Sequence, residues 1–518
     1  MPLFGSLLSK GLKIGNLKPQ KKKSPFELQK KELGKLLAKA KHTQFGEHYN
    51  FQDILHQFGE KTSTDFYDVW RKGIPVFNYN KIFSEWWHKS KAGEHDVTWP
   101  GRVKYFALSS GTSEAATKHI PMTVDMIKAN KKTGVRQMMS LSLYDLPPSI
   151  LGKGILMLGG STQLSKIDTY YEGDLSGIQA SKIPFWFQMF YKPGKRIAKE
   201  RDWNHKLEEI TKNAAKWDIA FIVGVPAWLQ IMMERIIEHH QLKNIHEIWP
   251  NLSVFVHGGV SFEPYKKGFE KLLGKPITYI ETYLASEGFI AYQAAPNKHT
   301  MKLCLHGGIF FEFIPFNDKN FNADGDIIDT PETLMIHQVE EGVDYALLLS
   351  TCAGTWRYLI GDVIRFENKE ECEIIISGRT KHYLSLCGEH LSVDNMNKAI
   401  QLVSEELNIS ISEYTVAGIS HDTLFAHKWF VGTDDKVDTE VLRLKLDEKL
   451  KELNDDYRTE RIAALKDVFL EVLPVNAFYS WMESKGKVGS QNKFPRVFKK
   501  TQLEEWERFV EEFKKRHR

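Results

Sequence analysis

The stretch best suited to chemistry is Phe106–Thr123, FALSSGTSEAATKHIPMT. A short apolar run leads into Ser109, Ser110, Gly111, Thr112 and Ser113, and Lys118 follows. Four hydroxyls, a glycine that lets backbone N–H groups approach closely, and a cation beyond them make an anion cradle. The spacing is not GxxxxGK[ST], so this is not a Walker A loop. By itself such a loop reads as an ordinary surface turn, and it needs partners elsewhere in the chain.

Four other places supply them. In Tyr279–Gly288, YIETYLASEG, a predicted strand runs into Tyr283, Ser286 and Glu287. A tyrosine ring can stack on a purine, a serine can reach a phosphate, and a glutamate offers oxygen to Mg²⁺. Upstream, Gly258 and Gly259 follow His257 and another strand, giving a flat backbone surface beside a base. In Thr355–Arg365, TWRYLIGDVIR, Asp362 follows Gly361 among apolar residues. A carboxylate held that close to a core accepts two hydrogen bonds, from local backbone or from paired ribose hydroxyls. Lys485–Arg496, KGKVGSQNKFPR, is a cation-rich loop with a lysine able to swing onto a carboxylate or phosphate. Taken singly, each of these is also explained by a turn or a solvated loop.

The elements that must position these residues are those of an α/β protein. At 518 residues the chain is too long for one compact core. Trp228–His240 has helical spacing of apolar residues, whereas Leu252–Val256 and Ile277–Ile280 are short β-branched and aromatic runs. Interleaving of such patches predicts a sheet buried between helices. Met301–Ile376 is dense in strand signals. Near residue 378 the texture changes, so the expected domains are 1–378 and 379–518. The second reads as a smaller α+β unit, with strands at Tyr414–Ser420 and Lys428–Gly432 and an amphipathic helix over Thr439–Leu453. A strand pair is expected at Val468–Leu473 and Ala477–Met482, then a closing helix with Leu503, Trp506, Phe509, Val510 and Phe513 on its apolar stripe.

In order, SSGTS–x4–K–x2–P, YxxSE, YxxGDV and a late KxPR lysine resemble the acyl-adenylate-forming superfamily. More closely, the chain resembles the plant jasmonate and auxin acyl-acid amido synthetases of the Gretchen Hagen type. The general superfamily puts three residues between its SGT[ST] and the lysine, whereas this chain has Glu114, Ala115, Ala116 and Thr117. That longer loop matches the amido synthetase form, SSGTSxGxxK, with Ala115 where the family has glycine. The family's YRLGDV reads Tyr358-Leu359-Ile360-Gly361-Asp362-Val363 here, so its arginine is missing, and Arg357 lies two residues upstream of that slot.

The resemblance implies a large N-terminal adenylate-forming domain of mixed sheets flanked by helices, with a smaller, mobile α+β C-terminal domain. It implies a ligase that joins a carboxylic acid to ATP, giving acyl-AMP and pyrophosphate, then passes the acyl group to an amine such as an amino acid. Ser109, Ser110, Gly111, Thr112, Ser113 and Lys118 would then hold phosphates, and Glu287 would hold Mg²⁺. Tyr283 would stack on adenine, with Gly258 and Gly259 beside the base. Ser286 would contact the α-phosphate, Asp362 would grip the ribose hydroxyls, and Arg379, at the start of the second domain, would add a ribose contact. Lys493 would bridge the acyl carboxylate and α-phosphate during adenylation. An acyl-CoA ligase with a thiol acceptor and a non-catalytic nucleotide- or acid-binding protein are the alternatives.

Composition narrows the partners. Lys and Arg total 70 against 66 Asp and Glu, a net charge of +4 that gives no global field for nucleic acid. Four cysteines without a CxxC pair argue against zinc and thioredoxin-type chemistry. Ile219–Met233, the longest uncharged apolar-rich stretch, is broken by Pro226 and is shorter than the ~20 residues of a membrane span. The chain is therefore expected to be cytoplasmic. Six lysines in the first 23 residues, with no acid before Glu27, leave room for weak contact with an anionic membrane surface.

Overall fold

A computed structural model describes residues 23–58, 65–109, 118–259, 262–296, 298–322, 325–381, 383–389, 391–485 and 494–516. The chain divides into two compact units, the first comprising Met1–Ser109 and Lys118–Lys381, the second continuing from His382 to the end.

In the first unit, helix α1 (Pro25–Ala40) opens with a capping box in which Ser24 and Glu27 satisfy each other's backbone N–H groups. Leu33, Leu36, Leu37 and Ala40 form its buried stripe. Strands β1 (Tyr105–Ser109) and β2 (Lys118–Met122) form an antiparallel pair. Together with strands Tyr170–Asp174 and Ser165–Ile167 they make a four-stranded sheet. Helix α2 (Val124–Ser140) follows at once, capped by Thr123, whose hydroxyl also donates to the Cys352 carbonyl at 2.6 Å.

The main sheet has eleven strands. Its parallel half runs β3 (Gly154–Leu158), β4 (Ile219–Gly224), β5 (Val254–Gly258) and β6 (Thr278–Ala285) side by side, with Tyr191–Lys192 beyond β3. Helix α3 (Pro226–His239) lies between β4 and β5 in the chain, with Pro226 in its first turn, where the missing N–H costs nothing. The apolar stretch 219–233 is thus a strand followed by a helix, and among the described residues no helix is long and apolar enough to cross a membrane.

The other half of the sheet is antiparallel. Strand β7 (Gly288–Tyr292) pairs with β6 and with Met301–Leu303. Strands β8 (Asp344–Thr351), β9 (Thr355–Asn368) and β10 (Glu373–Arg379) follow, with Ile309–Pro315 at the edge beyond β8. Tyr345–Thr351 is buried throughout, as a strand covered on both faces requires. Arg379 is the last residue of β10 and belongs to the first unit, not to the start of the second as the change of texture suggested. Strand signals do not reveal that β10 is held by a ladder to β9 up to its final residue.

In the second unit, helix α4 (Val393–Leu407) is followed by the hairpin β11 (Glu413–His421) and β12 (Leu424–Gly432), then helix α5 (Thr439–Leu453). Strand β13 (Leu465–Leu473) pairs parallel to β12, and Val497–Phe498 pairs with β11. The expected second strand at Ala477–Met482 is instead helix α6 (Val475–Ser484). Pro474 stands at its N-cap, and Ala477, Phe478, Trp481 and Met482 are buried at helical spacing. Helix α7 (Lys500–Arg516) closes the unit with Leu503, Trp506, Val510 and Phe513 buried. All four cysteines are buried and free.

Candidate active site

Lys118 opens β2 directly across from Ser109, the last residue of β1. Ser110, Gly111, Thr112 and Ser113, between those strands in the chain, lie outside the described residues, as does Lys493. The Lys118 ammonium sits 5.5 Å from the centre of the Tyr79 ring. Burial lowers its pKa to about 8, against the opposing pull of Glu287 and with Arg379 reinforcing the drop.

Glu287 lies in the two-residue turn between β6 and β7, next to the half-buried Ser286. Its carboxyl is buried, and desolvation raises its pKa to about 6 while Lys118 pulls the other way. Asp362 and Arg379 also act on both groups. One cluster therefore holds Lys118, Glu287, Asp362 and Arg379, contributed by β2, the β6–β7 turn, β9 and β10, with the two carboxylates buried.

Asp362 follows Gly361, whose φ of +94° is a conformation that suits glycine. Across the β9–β10 ladder it faces Arg379, whose Nε lies 3.0 Å from Oδ1. The Tyr283 hydroxyl donates to Oδ2. Both carboxylate oxygens are thus engaged by protein. Tyr283 is itself buried, its hydroxyl held far from ionisation first by that burial and then by the Asp362 charge. Sequence reasoning offered its ring as a stacking surface; the tie of its hydroxyl to Asp362 is visible only in the fold.

Gly258 ends β5 beside Thr282 of β6. A Cβ there would lie 2.2 Å from the Thr282 carbonyl oxygen, so the close strand approach excludes every larger residue. Gly259 follows with φ +86°. These glycines sit at the carboxyl ends of parallel strands, where open α/β sheets collect ligands.

Arg357 does not replace the missing arginine. Its Nε donates to Glu312, its other nitrogens to Thr333 and to the Arg71 and Ile74 carbonyls, and it sits at φ +39° in the core. Tyr67 and Trp70 bond the same Glu312. No local pattern marks this network, because its members are distant in sequence. Tyr79 and Lys381, which pairs with Asp326 at 2.7 Å, are further site neighbours that motif reading missed. Among the described residues no three His, Cys, Asp or Glu side chains converge as a metal site.

Residues 18–166 and 161–277 match the GH3 family N-terminal domain, 302–372 the GH3 family central domain, and 394–502 the GH3 family C-terminal domain. The chain belongs to the GH3 family. Among curated relatives, the indole-3-acetic acid-amido synthetase GH3.2 of Arabidopsis thaliana is 21% identical over 85% of this GH3 chain and 91% of its own length. The jasmonoyl–L-amino acid synthetase GH3.5 of Oryza sativa subsp. japonica is 29% identical over 31% of this chain and 29% of its own. Among solved structures, GH3.15 acyl acid amido synthetase superposes with a TM-score of 0.55 at 16% identity, covering 94% of this chain and 93% of that one. A 2-hydroxyisobutyryl-CoA ligase superposes with 0.56 at 11% identity, covering 91% and 89%. At those identities the GH3 chain shares a fold with both: a large mixed α/β domain followed by a smaller C-terminal one.

Proposed function

We propose that this GH3 protein is an ATP-dependent acyl acid–amino acid ligase that forms an acyl adenylate and then an amide. The observation that carries this reading is the cluster of Lys118, Glu287, Tyr283, Asp362 and Arg379, at the strand ends where the family's motifs fall. Attack of a carboxylate on the α-phosphate brings like charges together, so the site must supply cations and donors that strengthen in the transition state. Lys118, protonated below about pH 8, supplies one such charge beside the Ser109 strand end. Asp362, held from both sides by Tyr283 and Arg379, keeps lone pairs for ribose hydroxyls, since a carboxylate offers about four acceptor sites.

The donor set fits Mg²⁺. Glu287 presents one buried carboxylate, and Mg²⁺ takes one or two protein carboxylates with substrate phosphates and water. When bound, the ion would neutralise phosphate charge; Glu287 would hold it. Lys493 is assigned to the adenylation step, on a second unit that turns between the two half-reactions.

ATP–pyrophosphate exchange with pooled aromatic and aliphatic acids tests the reading. Exchange that depends on one acid pool is expected; ATP binding without exchange in any pool would leave a binding protein. The fold shared with a CoA ligase keeps a thiol acceptor as the second reading. Amide product formed with amino acids, and no thioester formed with coenzyme A, separates the two.

A further inference from the structure

Most helices that cover a sheet turn charged residues outward and apolar ones inward. Helix α2 breaks this pattern. Its inward side buries Met126, Ile127, Asn130 and Thr133. Its outward side interleaves cations, Lys128, Lys132 and Arg136, with the exposed apolar Val124, Val135 and Met138. The helix has a single acid, Asp125, which is engaged by the Trp99 indole at 3.0 Å. The helix thus carries four cations, Lys128, Lys131, Lys132 and Arg136, against that one carboxylate.

The patch extends on two sides. Lys131 donates to the Lys182 carbonyl, which puts that residue, three before Phe185 in the chain, beside the helix. The segment after Lys182 presents Phe185, 87% exposed, and Met189, 62% exposed. On the other side, α1 contributes the exposed Lys31 and Lys35. They share a neighbourhood with Arg136, since all three act on the half-buried His306 and oppose its protonation, behind the larger effect of burial. Glu32, buried and paired with Lys35 at 2.8 Å, is the one carboxylate among these neighbours. In sequence, the first 23 residues carry six lysines and no acid.

Singly exposed apolar residues are ordinary, but a run of them set among cations on one face is the composition of an interfacial surface. A bilayer with anionic headgroups satisfies both parts at once. Cations meet the negative surface potential, and protruding apolar side chains enter the headgroup boundary. We infer that the outward face of α2, with Phe185 and Met189 beside it, docks this protein on anionic lipid bilayers. This goes beyond the ligase reading and does not depend on it.

Co-sedimentation of the full-length protein with phosphatidylcholine vesicles, with and without phosphatidylserine, tests the inference. Pelleting is expected only with phosphatidylserine and should fall as salt rises. The triple variant K128Q/K132Q/R136Q should weaken vesicle affinity about a hundredfold, taking roughly 1 kcal/mol per cation near an anionic surface. ATP–pyrophosphate exchange in that variant should be unchanged. F185S should weaken binding without altering its salt dependence. Equal pelleting on neutral vesicles, or none on either, overturns the inference. So does binding that the triple variant retains, which would assign the attraction to the lysine-rich N-terminal segment instead.

Discussion

Glu287 and Lys118 approach neutrality from opposite directions: burial lifts the carboxyl to about 6 and brings the ammonium down to about 8. In the proposed roles Glu287 would hold the metal as a carboxylate and Lys118 a phosphate as an ammonium, so both would be in working form only between those values. The pH profile of kcat/KM for ATP, which reports the free enzyme, should therefore rise through about 6 and fall above about 8. Glu287→Gln should remove the rising limb and lower exchange on the order of a hundredfold. Tyr283 allows a sharper test. If its hydroxyl positions Asp362, Tyr283→Phe should raise KM for ATP by about tenfold, the worth of one hydrogen bond to a charged group. If only its ring matters, the phenylalanine variant should bind ATP like the parent. In sequence, loop hydroxyls and a following lysine suggest an anion cradle, but residues 110–117 of that loop lie outside the described residues. The Tyr283–Asp362–Arg379 chain was not legible there, because its members lie on three strands and touch only once the sheet forms.

At the scale of elements, the β5–β6 contact depends on a missing side chain. Gly258→Ala would drive a Cβ to 2.2 Å from the Thr282 carbonyl, so the strands must separate. Expected are a lower melting temperature and loss of exchange that added ATP does not restore. In the second unit, Glu389 is buried between the Leu386 and Cys387 backbone N–H groups and the His427 Nε2, each at 2.9 Å. Burial alone would raise its pKa, but hydrogen bonds from His427 and that backbone outweigh it and hold it at about 2. The depressed value means the stabilisation is full above the ordinary glutamate pKa and is lost as pH falls toward about 2. Glu389→Gln should cost about 3–5 kcal/mol in urea unfolding at neutral pH, because a buried partner is left uncompensated. Helix Thr439–Leu453 was readable to the residue from its leucine stripe. Val475–Ser484 was not, since ten residues with adjacent apolar pairs suit either period until Pro474 is seen to cap a helix.

For the whole molecule, a chain divided into two compact units, with the division after Lys381, suits a reaction in two steps. Lys493→Ala should suppress acyl-adenylate formation far more than amide formation from supplied acyl-AMP. Equal losses in both would remove the case for a lysine used in one step only. Exchange and single-turnover transfer, measured on the same preparation, decide it.

Residue order along the chain determined a good deal alone. Motif spacing singled out Lys118, Glu287 and Asp362, three residues that the fold brings into one cluster. Alternation of apolar periods announced α/β layers and a smaller second unit, because burial imposes period 2 on strands and 3.6 on helices. Tertiary structure alone decided what those groups touch. It placed Arg357 in a core network with Glu312, moved Arg379 onto the strand beside Asp362, and buried Glu287 deeply enough to shift its titration. Hydrogen bonds across distant segments and the desolvation of a carboxylate are properties of three-dimensional neighbours, and linear spacing carries no record of them.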